Sequence, residues 1–164
     1  MSNLMDKNSS PGLTLVEVMI ATAIILTFLV ALIGTYNTFM KMAFASTDIV
    51  KAAYLAEEGI EVVKFLRNSS WEGNILTLSP EVDYNLTFEN NLWQATTTSI
   101  FIDGIFERKI IFSEVYRDPS AQIVSSGGTL DPDTRMVTAI VSWKRGAATT
   151  TKSIPTYITN LSED

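Results

Sequence analysis

One gap in the charge and two changes of period divide this chain. From Val18 to Met40, 23 residues pass without a formal charge: VMIATAIILTFLVALIGTYNTFM. As a helix rising 1.5 Å per residue they cover roughly 35 Å, against a hydrocarbon core of ~30 Å. After Lys41 the uniform run gives way to an amphipathic pattern. Ile49, Ala53, Ala56, Ile60 and Val63 recur at spacings of 4, 3, 4 and 3, one helical face. Asp48, Lys51, Glu58, Glu61 and Lys64 lie toward the other side. A single helix is therefore expected, spanning about residues 15–40 as a membrane segment and 41–67 as a one-sided stem. Its stop signals are Asn68-Ser69-Ser70 and Gly73. Gly34 is the weak point of the apolar half, costing ~1 kcal/mol relative to alanine. It reads either as a place to bend or as a small residue that lets helices approach.

From Trp71 onward the pattern predicts β structure. Tyr84–Phe88 and Thr97–Ile102 are short strand candidates, the second followed by a turn at Asp103-Gly104. Ile105–Tyr116 has apolar residues on both faces around Ile110, Ile111 and Phe112, as a strand covered by the helix should. Arg117-Asp118-Pro119 closes it, and a loop follows through Ser125-Ser126-Gly127-Gly128 and Asp131-Pro132-Asp133. Val137, Ala139, Val141 and Trp143 alternate with Thr138, Ile140, Ser142 and Lys144, a strand with one apolar face. Gly146 turns the chain into a last strand over Thr149–Tyr157. A long helix laid on a small antiparallel sheet is an α+β fold. The expected division is a helix ending near residue 67 and a sheet domain over 68–164.

Composition removes several functions. The chain has no histidine and no cysteine, which excludes imidazole acid–base chemistry, disulfides and the usual zinc ligand sets. Formal net charge is −6, and it stays −6 without residues 1–12, which hold one Asp and one Lys. That balance argues against general affinity for nucleic acid. Lys144, Arg145 and Lys152 make a small basic patch across a hairpin, explained by solvated strand ends as well as by phosphate contact. Asp131 and Asp133 are the weak candidates for a hard cation, since calcium wants clustered oxygens; Pro132 between them fits a plain turn equally well. No phosphate loop, nucleophile elbow or paired-acid geometry is present. The chain is not expected to be an enzyme or to hold a cofactor.

The head of the apolar run carries the chemistry. Glu17 abuts it, and a carboxylate at the edge of a bilayer needs a partner. Thr14-Leu15-Val16-Glu17 also fits a capping box, and a carboxylate in the first turn is favoured by the helix dipole. An ordinary secretory signal has an A-x-A site, which Ala43-Phe44-Ala45 matches. However, the run is too long for one, Glu17 abuts it and Lys41 intrudes.

Pro11-Gly12-Leu13-Thr14-Leu15-Val16-Glu17 resembles the class III signal of type IV pilins and type II secretion pseudopilins. The resemblance implies a leader over 1–12, cleavage between Gly12 and Leu13, N-methylation of Leu13 and assembly of the helices into a filament. It also implies that Glu17 pairs with the Leu13 amine of a neighbour. Leu13 stands where phenylalanine is commoner, and the leader is less basic than usual. Leu55-Ala56-Glu57-Glu58-Gly59-Ile60-Glu61, Val141-Ser142-Trp143 and Thr156-Tyr157-Ile158-Thr159-Asn160 resemble segments of minor pilins. Ser10 with Pro11 at the first helical position would start the precursor helix.

The function implied is a structural subunit, a minor pilin or pseudopilin, anchored once in the cytoplasmic membrane with its C-terminal domain extracytoplasmic. Its implied partners are membrane lipid, other such subunits, a prepilin peptidase and an inner-membrane assembly platform. Whether the filament is a surface pilus, a secretion pseudopilus or a DNA-uptake device stays open. From other classes, a membrane-tethered enzyme and a tethered ligand-binding module are the alternatives.

Co-expression with a prepilin peptidase is expected to remove residues 1–12 and leave an N-methylated Leu13, read by mass spectrometry. Gly12→Val should block the cut, because glycine lets the backbone approach closely. A mature start at Ser46 would establish the ordinary signal instead.

Overall fold

The computed structural model describes residues 12–161. The rest of the expected leader, with the suggested helix start at Ser10 and Pro11, lies outside the described residues. The fold is α+β: a long N-terminal helix and antiparallel sheets. The chain divides into two compact units between Ser46 and Thr47.

Helix α1 runs Leu15–Ser69 without interruption, through Gly34 and two residues past the expected end at Arg67. It is long and apolar enough near the N-terminus to cross a membrane. In the first unit its side chains are exposed throughout.

In the second unit, α1 packs on the sheet with the stripe Asp48, Ala52, Ala56, Gly59, Val63 and Leu66, all buried, with Ile60 and Val62. The expected stripe is corrected at its start, where Ile49 is 48% exposed and Ala53 only half-buried. Asp48, placed on the solvent side by sequence, is buried. The register follows from residue size: alanine and glycine at 52, 56 and 59 allow close approach to the sheet. A Cβ on Gly59 would lie 3.0 Å from both Arg108 Cδ and Ile110 Cδ1.

The start of the expected β region is helical instead. α2, Trp71–Asn74, is one short turn whose N–H of Gly73 donates to the Ser70 hydroxyl at 2.9 Å. This cap converts the anticipated stop signal into a new start. Strand β1, Asn85–Glu89, then pairs with β2, Leu92–Thr96, as a separate two-stranded sheet. The Asn90-Asn91 turn joins them with both residues at positive φ, the geometry asparagine tolerates best after glycine. Sequence reading missed β2. It overextended the next strand: β3 is only Phe101–Ile102.

The main sheet has the order β3-β4-β6-β7, with β4 over Phe106–Arg117, β6 over Thr129–Arg145 and β7 over Ala148–Thr159. Strand β5, Ile123–Val124, pairs with the end of β4. The inner face is Phe106, Arg108, Ile110 and Phe112 from β4 with Val137, Ala139, Val141 and Trp143 from β6. Tyr84 meets Phe112 edge-on at 6.2 Å, and Phe106 meets Trp143 at 5.8 Å.

Asp131-Pro132-Asp133 lies within β6 and not in a free loop. The partner of Val115 is Asp131 while that of Glu114 is Arg135, so residues 132–134 bulge out. Proline is at home in such a bulge because no ladder N–H is needed there. Gly146, at φ +66, starts the two-residue turn into β7, which is the open edge of the sheet. Pro155 stands seven residues after the Arg145↔Ala148 pair that closes this turn. Closing pairs of such hairpins exchange hydrogen bonds and the pattern alternates, so the Pro155 nitrogen faces the open edge.

A fragment starting at Phe44 is expected to be soluble and to unfold cooperatively on heating. A fragment starting at Trp71 loses Ala52, Ala56, Ile60, Val63 and Leu66 from the core and should aggregate. Each larger side chain lost is worth ~1.5–3 kcal/mol, against ~5–15 kcal/mol of total stability. In the longer fragment, Gly59→Leu should lower the melting temperature. A folded, monomeric 71–164 fragment would show that the helix is dispensable for the domain.

Candidate functional site: the apolar half of the helix

The first turn of α1 is capped by Thr14, whose hydroxyl accepts from the Glu17 N–H at 3.3 Å. This is one half of the anticipated capping box. The Glu17 carboxylate makes no hydrogen bond or ion pair with any described residue. Leu13 precedes the helix, 76% exposed. Gly12, Leu13 and Glu17 therefore sit together at one helix end, with the carboxylate uncommitted.

The following run satisfies its threonine hydroxyls within the helix. Thr22, Thr27 and Thr35 donate their hydroxyls to the carbonyls of Val18, Ala23 and Ala31, each at 2.9 Å, and Thr38 donates to Gly34 at 3.1 Å. Such bonds satisfy a hydroxyl inside its own helix without water, as a hydrocarbon environment demands. A Cβ on Gly34 would meet nothing within 4 Å. Apart from Tyr36 and Asn37 near its end, that surface is apolar, and in water it would be an exposed hydrophobic patch far beyond what soluble monomers carry.

Most charged groups of the stem have definite partners. Arg108, 4% exposed beneath the helix, donates to the Glu58 carboxylate at 2.9 Å and to the Leu55 carbonyl at 3.2 Å. Arg145 grips Asp48 with two hydrogen bonds, the Nη2 one at 2.9 Å. Lys51 bonds Asp103, and Lys64 bonds Glu61 at 2.7 Å. Glu58 thus ties the helix to the sheet, whereas the sequence pattern put it on the side away from the apolar face. The two arginine ties were missed, although a signal existed for Arg108. It alternates with Phe106, Ile110 and Phe112, which puts it on the inner face.

At the far end of β4, Arg117 bonds the Asp131 carboxylate at 2.6 Å and the Thr134 hydroxyl at 3.3 Å. Asp131 also accepts from the Asp133 N–H at 3.0 Å, and Asp133 accepts from the Asn160 amide at 3.2 Å. The two aspartates brace the bulge. Among the described residues, no three acidic, histidine or cysteine side chains gather as a metal would need. Of the basic patch, Arg145 is taken by Asp48.

No protein-family model, curated protein or solved structure matches this chain.

The hydrogen bonds and charge of Arg145 hold the Asp48 carboxyl below its usual range, against the opposing effect of burial. For Asp131, burial pushes upward, but the bonds from Arg117, Thr134 and the Asp133 N–H outweigh it and the carboxyl is again lowered. A carboxyl depressed in the folded state contributes stability above its unfolded pKa, about 3.9, and that stability is lost as pH falls through the folded value. The 44–164 fragment should therefore keep a level melting temperature from neutrality down to about pH 5 and lose it below about pH 4. Asp48→Asn should lower the melting temperature at neutral pH and flatten the acid limb; an unchanged acid limb would remove Asp48 from the account.

Proposed function

We propose that the chain is a minor pilin or pseudopilin, a structural subunit of a type IV pilus-like filament. In this reading Val18–Met40 anchors it in the cytoplasmic membrane with the sheet domain outside. A prepilin peptidase cuts between Gly12 and Leu13, Leu13 is methylated, and an assembly platform passes the subunit into the filament. The observation that carries the reading is Glu17. Its carboxylate has no partner among the described residues, yet it heads an uncharged run that belongs in lipid. An ionised side chain is costly in that setting unless something pairs with it. A neighbouring subunit's Leu13 amine would neutralise it and set the axial register between subunits.

The self-satisfied threonines support the same reading, because they suit both lipid and a close-packed bundle of like helices. So does the division of α1 into an uncovered apolar half and a stem that serves as the core of a folded domain.

Glu17→Leu removes the carboxylate while making the helix more apolar, so membrane insertion should be unchanged or improved. Joining the filament should fall. Loss of a pairing worth ~1.4 kcal/mol per subunit corresponds to about tenfold. Carbonate extraction reads insertion, and sheared-filament yield with cysteine crosslinking reads assembly. Wild-type assembly by Glu17→Leu would reduce the residue to a favourable charge at a helix end.

A further inference from the structure

The packed unit has a second apolar surface at the end where α1 arrives from the uncharged run. Lys51 bonds Asp103 in the turn between β3 and β4, and Asp48 bonds Arg145 beside the turn between β6 and β7. Both turns therefore stand next to the first residues of the packed stem. Only residues 41–46 separate Met40 from Thr47. That join is ~10 Å long as helix and ~25 Å fully extended. The join therefore bounds how far the start of the packed stem, and the two turns bonded to it, can lie from the end of the uncharged run.

What the turns present fits that location. Phe101 is 60% exposed and Ile105 49% exposed. They flank Asp103-Gly104, whose φ values of +52° and +67° make a tight hairpin turn, so both side chains are held outward by a rigid support. With Lys144 they line a hollow of about 380 Å³. The neighbouring carboxylates are occupied: Asp103 by Lys51, and Glu107 by the Ser99 hydroxyl with Lys109 at 3.7 Å. Lys144 has no carboxylate partner among the described residues.

We propose that Phe101, Ile105 and Lys144 form a bilayer-docking surface, the apolar pair entering the interface and Lys144 meeting an anionic lipid headgroup. Apolar side chains beside a cation are the combination that interfacial segments use. The inference needs the membrane anchor of the proposed function and does not need the filament.

The chain has no cysteine, so Thr149→Cys, on the rim of the hollow, and Ser126→Cys, in the loop after β5, each take one nitroxide label. The full chain is placed one copy per nanodisc, in phosphatidylcholine with phosphatidylglycerol or in phosphatidylcholine alone. In the anionic discs the label at 149 should be shielded several-fold from a water-soluble nickel relaxant, while that at 126 stays open. Lys144→Gln should shift the docked-to-free ratio about fivefold, the equivalent of ~1 kcal/mol per lysine at an anionic surface. Equal water access at 149 and 126 would overturn the proposal. Equal shielding in phosphatidylcholine alone would overturn the headgroup's part in it. Shielding confined to discs with two copies would assign the surface to a second chain and overturn the lipid contact. Failure of the chain to enter discs at all would overturn the anchor, and with it both the docking surface and the lipid setting of Glu17, whereas an open label at 149 in loaded discs leaves the Glu17 pairing untouched.

Discussion

The stripe of small residues on α1, Ala52, Ala56 and Gly59, sets how near the helix comes to the β4–β6 face, and most of the domain follows from that distance. Where a glycine stands opposite Arg108 and Ile110, the aliphatic stem of the arginine can lie flat beneath the helix. Its guanidinium then emerges beside Glu58 and the Leu55 carbonyl. A larger residue at 59 would lift the helix, loosen the packing of Val63 and Leu66 in the core, and leave a buried cation without its carboxylate. Breaking such a pair costs more than the pair itself contributes, so the contact acts as a strict spacing requirement.

Two surface characters share one helix. In the first unit the helix satisfies its threonine hydroxyls internally and offers mostly carbon outward between Glu17 and Lys41; in the second it offers carbon to the sheet and charge to water. The change falls within a few residues of Thr47, where Asp48 turns inward to Arg145 and Lys51 turns to Asp103. These ties fasten the start of the stem to two separate turns of the sheet. Residue 48 is therefore the first side chain of α1 with a place in the folded domain's own interior.

The uncharged run, the β6 alternation and the α+β class were legible in the sequence because each rests on a period repeated over many residues, whereas β4, read as apolar on both faces, in fact buries alternate residues. The exact helical face was not. Reading Ile49 as its start followed hydrophobicity, whereas packing selected the smaller Ala52 and Gly59 and tolerated Asp48 because an arginine could meet it. Strand β2 was missed because Leu92-Trp93-Gln94-Ala95-Thr96 is short and its turn is Asn-Asn, with no glycine to mark it. The bulge at Pro132 is set by Arg117 and Asn160, distant in sequence, so no local pattern announces it. At the candidate site, Gly12, Leu13 and Glu17 were visible as a motif. The partners of Asp48 and Glu58 lie 97 and 50 residues away and only folding brings them in.

Membrane-tethered domains share a two-dimensional space, where local concentrations are high and neighbours meet side by side. A twelve-residue strand with an open flank would then be a standing invitation to fuse sheets between chains. Pro155 turns its ring nitrogen toward that flank and withholds a donor in the middle of it. An arriving strand would have to leave an acceptor unmet and clear the ring as well. Crowding alone would thus not anneal its sheets along this edge.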